Sequence, residues 1–559
     1  MLSRLFRLSA LALLVAVGAA PAQDAKKADP KAGPAVLVRV QSINDLLQTA
    51  KYVRTFIPGE PGDQLELGLG AAEAFIDKDK GSIEGIDVKS PIGLYVTFGE
   101  ELNATPPVVL LVPVADSEAV LTALKERAML KVDKEKDDVY KTDVPNVPFP
   151  IYFRFANKYA YITINDPQNI DAKTLPQPAT VLGGGRPEEV ISASLRFDRL
   201  PEGMKRMALA GVESTLAKVK DQPIPNETKA IRELKEKAID EIAANIKAVL
   251  DGGQELALRI NVDRKTEEVS LELELTGQSG SKLAKDIASI KQTKSVAGGA
   301  VSSPDAAVNF NLSVALPAAL RQLLPTAVDD ALAEAKKQAP GEVQSKIEPV
   351  LKALLPTVKA GELDLAASMI GPDKDNNYTV IAALKVVDGK GIESAVKEIA
   401  KKELPPELSG LIQFDAEKLT GGASVHTVKI ADQLDENARK VFGKNDLHVT
   451  FRDDLVLAAI GPGAKDALKR AVASQPADVG VLQLQVSLAR IAPILGDNAE
   501  QTAAAKAAAE KTFGKGGPGS DTIRFAIEGG ESLKVKVAAK GKAIQFLTEF
   551  GAGSQKKDQ

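Results

Sequence analysis

The chain has no cysteine, no tryptophan and two histidines among 559 residues. The first absence removes disulfides, thiolate nucleophiles, zinc–thiolate sites, haem thioether links and a lipid-bearing N-terminal cysteine. Scarce histidine thins out the commonest metal ligand and general base. A basic excess is missing too: 71 Lys and Arg stand against 75 Asp and Glu, a net charge of −4. A nucleic-acid partner is therefore not expected. Beyond the N-terminus no apolar run nears the roughly 18 residues a membrane-spanning helix needs. Val108 to Val114 is among the longest, so no transmembrane segment is expected in the processed chain.

What is present is an ordinary globular mixture, 44% hydrophobic and 26% charged, too apolar for extended disorder. The N-terminus has the layout of a secretory signal peptide over residues 1–22. Arg4 and Arg7 form the positive region, Leu8 to Val17 the short apolar stretch, and Ala20-Pro21-Ala22 the small residues before cleavage after Ala22. The two arginines are not adjacent, so this is not a twin-arginine signal. The expected location is extracytoplasmic, secreted or periplasmic. Export of an unfolded chain disfavours a cofactor inserted in the cytoplasm, and none is expected. Residues 23–34 read as a flexible leader and 551–559 as a matching polar tail.

Between these ends the pattern repeats. Four alternating strands run straight into helix starts, at Val36–Leu46, Ser194–Gly203, Asn309–Pro317 and Gln483–Ile491. Asp198, Ser313 and Ser487 sit where a polar side chain caps helix amides. A long helical stretch follows each strand. The clearest runs from Glu227 to Leu250, capped by Asn226, with Ile231, Leu234, Ile239, Ile242 and Ile246 on one stripe. A hairpin and a short helix then complete each copy. The hairpins pair Ile92–Phe98 with Val108–Val114, Leu256–Val262 with Val269–Leu275, Leu363–Ile370 with Tyr378–Val386, and Ile523–Ile527 with Leu533–Ala538.

A smaller unit, a tight hairpin plus a short helix, follows the first and third copies. It turns at Asn157-Lys158 in one case and at Asp453-Asp454 in the other, and each ends in Gln-Pro-Ala. Equivalent points lie about 270 to 300 residues apart, as from Ser42 to Ser313 or Gln177 to Gln475. The chain thus reads as a duplication, with a first half at 35–295, a second at 305–550, and a Gly/Ser-rich link near Lys291 to Pro304. The expected fold class is α+β, each half an antiparallel sheet of roughly nine strands with helices mainly on one face.

This succession of strand, long helix, hairpin and short helix resembles a family of secreted bacterial proteins known as a domain of unknown function. The resemblance implies an extracytoplasmic, repeat-built protein and carries no assigned catalytic residues.

Chemistry-bearing motifs are sparse. His426, in the strand Ser424 to Ile430, reads as a hydrogen-bonded core residue, and His448 as surface decoration. A metal site would need carboxylates converging on them, and none is expected. Ser279-Gly-Ser-Lys282 and Ser394-Ala-Val-Lys397 match Ser-x-x-Lys without the companion elements of that machinery. Gly68-Leu-Gly70 lacks its third glycine, and no Gly-Lys is followed by Ser or Thr. Asp373-x-Asp375-x-Asn377 opens like a calcium loop but has Tyr378 and Leu384 where Gly and Glu belong, so it reads as a hairpin turn. Acid pairs such as Glu100-Glu101 and Asp453-Asp454 fall mostly in loops.

Six aromatic residues crowd between Phe149 and Tyr161. With a two-residue turn at Asn157-Lys158, Ile151, Phe153, Phe155, Ala160 and Ile162 are expected to share the core face. Tyr152, Arg154, Tyr159 and Tyr161 then share the other, a candidate ligand or partner surface. Ordinary cross-strand pairing explains the same residues. The expected function is a non-enzymatic binding or scaffold protein for an envelope or extracellular partner. A carrier of apolar small molecules between sheet and helices is the alternative, and a carboxylate-dependent hydrolase the third.

Overall fold

A computed structural model describes residues 33–74, 82–83, 85–98, 107–145, 147–222, 229–290, 294–338, 352–402, 409–496, 498–514 and 519–555. The signal segment, Asn226 and most of the polar leader and Glu100-Glu101 lie outside them. No helix among the described residues is long and apolar enough to cross a membrane. The protein is α+β, and its chain divides into two compact units. Unit 1 comprises Met1–Ala217 and Ala243–Lys285; unit 2 comprises Lys218–Ile242 and Asp286–Gln559.

Unit 1 contributes strands β1 (Val36–Val40), β2 (Ile92–Val96), β3 (Val108–Pro113), β4 (Val132–Lys134), β5 (Val139–Thr142), β6 (Ile151–Ala156), β7 (Tyr159–Ile164), β8 (Glu189–Arg196), β9 (Gly253–Asp263) and β10 (Glu268–Gly277). Their order is β4-β5-β6-β7-β3-β2-β1-β8-β9-β10, antiparallel at every step. Unit 2 contributes β11 (Ala306–Ala315), β12 (Glu362–Ile370), β13 (Thr379–Lys385), β14 (Ile412–Lys418), β15 (Ser424–Val428), β16 (Leu447–Arg452), β17 (Leu455–Ile460), β18 (Leu482–Ser487), β19 (Thr522–Glu528) and β20 (Leu533–Lys540). Their order is β14-β15-β16-β17-β13-β12-β11-β18-β19-β20, again antiparallel throughout. Adding ten to each unit 1 label reproduces the unit 2 order, so the strands of the two units follow the same order.

Local chemistry explains the hairpins. Asn157 and Lys158 both take positive φ, 51° and 63°, as the tight turn between β6 and β7 requires. Ser487 caps the short helix Leu488–Ile491 by accepting the Arg490 N–H. Two other expected caps are not caps. Ser313 lies inside β11, opposite Asp364, and Asp198 sits in a 3-10 turn paired with the Arg196 guanidinium.

In unit 2, helices pack on both sheet faces rather than mainly on one, because β13 and β17 carry apolar residues on both. Helices α1 (Val296–Val301) and α2 (Ala464–Val472) cover Ile381, Ala383, Leu455 and Leu457. On the reverse side, Ile392 of α3 (Gly389–Lys402) packs with Leu384, Phe451 and Val456. α1 falls in the segment expected as a link between halves. Instead Ala297, Ala300 and Val301 are core residues. Gly299 approaches the Gln475 backbone so closely that a Cβ there would lie 2.1 Å from its carbonyl oxygen.

Candidate functional site

A cleft of about 980 Å³ opens in unit 2 along one face of β11, β18 and β19. Cross-strand register builds its floor. Ser368, Asn309, Gln485 and Arg524 form one row across β12, β11, β18 and β19. Asn311 and Gln483 form the next. The alternation of a strand puts Asn309 and Asn311, and Gln483 and Gln485, on the same face.

Several lining groups are already engaged. Asn309 donates from Nδ2 to the Ser303 carbonyl at 2.6 Å and accepts the Ser368 hydroxyl. Arg490 pairs with Asp305 at 3.2 Å and donates to the Pro304 and Ala306 carbonyls. Asp521 accepts the Ser487 hydroxyl and the Ala489 N–H. Other groups are not engaged. The exposed Arg524 guanidinium and the Gln483 and Gln485 amides have no partner among the described residues. Nδ2 of Asn311, a residue only 3% exposed, is also without one. An unpaired buried amide is costly, so this face is not optimised for stability alone.

The corresponding strands of unit 1 are filled differently. Arg39, Ser192, Arg259 and Glu272 form the row across β1, β8, β9 and β10. Arg39 pairs with Glu189 at 3.1 Å; Arg259 reaches Glu189 at 3.5 Å, Glu272 at 3.3 Å and Glu274 at 2.5 Å. Arg186 pairs with Glu272 and Glu274, and Ser192 donates to Glu189. Three arginines and three glutamates thus neutralise one another. On the same face in unit 2, one row along, Asn309–Gln485–Arg524 ends in Ala538 on β20. Its guanidinium faces no carboxylate on the adjacent strand.

A second cluster surrounds His426, on β15. It is buried, with Nδ1 accepting the Asp415 N–H at 3.1 Å, so Nε2 carries the proton toward Glu393 at 3.1 Å. Glu393, Asp415 and His426 are close enough to share a metal ion. Their position is instead served by Lys397, 2.8 Å from Glu393 and 3.0 Å from Asp415, with Lys390 also on Glu393. The chain's own ammonium groups satisfy these acids, and the donor set does not fit a metal while they remain. Burial holds the His426 pKa below its ordinary value, against the opposing pull of Glu393. Burial does the same at His448, whose Nδ1 meets the Thr427 hydroxyl at 3.0 Å. His448 is therefore half-buried rather than the expected surface residue.

An unfolded histidine takes up a proton near pH 6.5, before the folded one does, so the unfolded state binds more protons below that value. Stability is fully present above about pH 6.5 and is lost as pH falls toward the depressed folded values. Glu393 and Asp415, held low by their lysines against the cost of burial, extend the loss through the carboxylate range. Denaturation midpoints measured from pH 8 to 5 should fall, with a shallower slope in His426→Asn. An unchanged slope would remove His426 from the acid sensitivity.

The four residues expected as an exposed patch are placed differently. Tyr161 is fully buried, its hydroxyl donating to the Pro176 carbonyl at 2.8 Å. Arg154 is 6% exposed and donates to the Asp137 carbonyl. Tyr159 donates to the Pro91 carbonyl at 3.1 Å, and Tyr152 packs with Tyr159 against the core of Val109, Leu111, Ile170 and Leu182. The opposite face is covered too, with Phe153 stacked on Tyr140 at 5.2 Å. The hairpin is sandwiched because Pro167–Ile170 and Pro178–Leu182 fold back over the tyrosine face. Of the serine–lysine motifs, Ser394 donates to the Lys390 carbonyl while Lys397 serves the acids above. Asp373 accepts the N–H groups of Asp375 and Asn377, as a turn does.

Sequence reasoning passed over Asn311, Gln483, Gln485 and Arg524. Their signal was present: Asn-x-Asn on one strand and Gln-x-Gln on another, amides where a solvated face more often carries charge. No protein-family model, curated protein or solved structure matches the chain.

Proposed function

We propose that the protein is an extracytoplasmic, non-enzymatic binding protein that holds a small polar ligand in the unit 2 cleft. The observation that supports this is the uncommitted guanidinium of Arg524 beside the Gln483 and Gln485 amides, on a face that unit 1 closes with its own carboxylates. The cleft volume falls in the usual small-ligand range. The N-terminal signal pattern and the resemblance to secreted proteins support the location. Native mass spectrometry of protein purified from its own host tests the reading. A small molecule should be retained by the wild type and lost from Arg524→Met/Gln485→Ala; a bare mass for the wild type would sink it.

A second reading, a carrier of apolar molecules, is favoured by one feature of unit 1. Leu258 pairs with Leu273 and Ile260 with Leu271 on the face of β9 and β10 opposite Arg259, and each is between 38% and 42% exposed. A retained mass that survives Arg524→Met/Gln485→Ala but is lost in Leu258→Ser/Leu273→Ser would favour it.

A further inference from the structure

We infer that the ligand of the unit 2 cleft is a small hydroxylated monocarboxylate, of the sugar-acid class; this rests on the binding reading above. Arg524 supplies a positive charge with no partner among the described residues, whereas the Arg490 guanidinium is paired with Asp305. Asp521 also lines the cleft. One uncommitted guanidinium among the described lining residues, with acids close by, suits a monoanion and opposes a phosphate dianion. A guanidinium fork matches a planar carboxylate in two parallel hydrogen bonds.

Unit 1 offers an internal version of the same contact. There an arginine on the same face of the corresponding strand, Arg259, is met by Glu272 from the adjacent strand. In unit 2 the residue opposite Arg524 is the small, buried Ala538, and the carboxylate is left to come from outside the chain.

The remaining lining fits hydroxyl groups. Each glutamine amide offers both donors and an acceptor, the pairing a hydroxyl needs. Gln483 and Gln485 lie two residues apart on β18, about 7 Å along a strand. That span is comparable to one hydroxylated ring. Phe513, backed by Phe546 at 5.4 Å, adds an apolar wall for the C–H face of such a ring.

Isothermal titration of the full chain at low salt, with D-glucuronate, D-glucose and inorganic phosphate as probes, tests the assignment. Glucuronate should bind, glucose should bind at least about 10-fold more weakly, and phosphate weakest of the three. Arg524→Gln should weaken glucuronate by about 10- to 100-fold. Ala538→Glu, which places a carboxylate opposite Arg524 as unit 1 does, should abolish glucuronate binding with the melting temperature preserved or raised. Phosphate binding tighter than glucuronate, glucose equal to glucuronate, or an unaffected Arg524→Gln would each overturn the inference. Silence toward all three probes would overturn it as well, while a ligand retained in native mass spectrometry would leave the broader binding reading intact.

Discussion

Arg259→Met is expected to destabilise unit 1 by about 3–5 kcal/mol, the usual effect of removing one member of a buried ion network. The reason lies in what is left behind. Glu189, Glu272 and Glu274 have side chains 5%, 10% and 13% exposed, and Arg259 contacts all three. Arg39 and Arg186 remain, but no group then bridges the three acids. Methionine keeps most of the apolar volume, so the loss reports charge and not a cavity. Urea denaturation followed by far-UV circular dichroism measures it. The multiple variant Arg259→Met/Glu272→Leu/Glu274→Leu should recover much of the loss, since a network replaced whole by apolar residues is often neutral. Arg524→Met, by contrast, should change stability by no more than about 0.5 kcal/mol, as for an exposed residue without structural partners. A loss below about 1 kcal/mol for Arg259→Met would mean that water reaches the three glutamates.

Tyr161→Ala is the second large effect expected, again about 3–5 kcal/mol, the range for deleting a buried aromatic ring. The ring is fully buried among Tyr95, Leu111, Val181 and Leu182. Tyr161→Phe should cost about 0.5–1.5 kcal/mol, the worth of the hydroxyl bond to the Pro176 carbonyl. Thermal and urea unfolding of both variants separates ring from hydroxyl. An alanine variant within about 0.5 kcal/mol of wild type would restore the exposed-patch reading.

The hairpins were legible because a strand's period of two and a two-residue turn are local properties. Ile151 to Ile164 and Leu447 to Ile460 needed only alternation and a turn to be placed. The paired strand orders were foreshadowed by the repeat of strand, helix and hairpin. Burial was harder to read. Along β6 and β7 alternation separates two faces without saying which is inside, and here both are. The Gly/Ser/Ala-rich run through α1 looked like a link because small residues mark both flexible chain and tight packing. Its contacts with Gln475 and the β12–β13 core decide between them.

His426 illustrates the same division at a site. Its strand and its buried, hydrogen-bonded character follow from the residues around it. That Glu393 and Asp415 would meet it, with Lys397 between them, depends on how α3 and the β14–β15 hairpin approach. The amides of β11 and β18 are adjacent in space but more than a hundred residues apart in the chain, so pairing alone makes them one surface.

By itself the amino-acid order determined the α+β class, the hairpins and the absence of cysteine chemistry, because composition and short-range periodicity act within a few residues. Tertiary structure decided which sheet faces are covered, which arginine is neutralised and which is left open. Those outcomes depend on register between distant strands, where a shift of one residue turns every side chain to the other face.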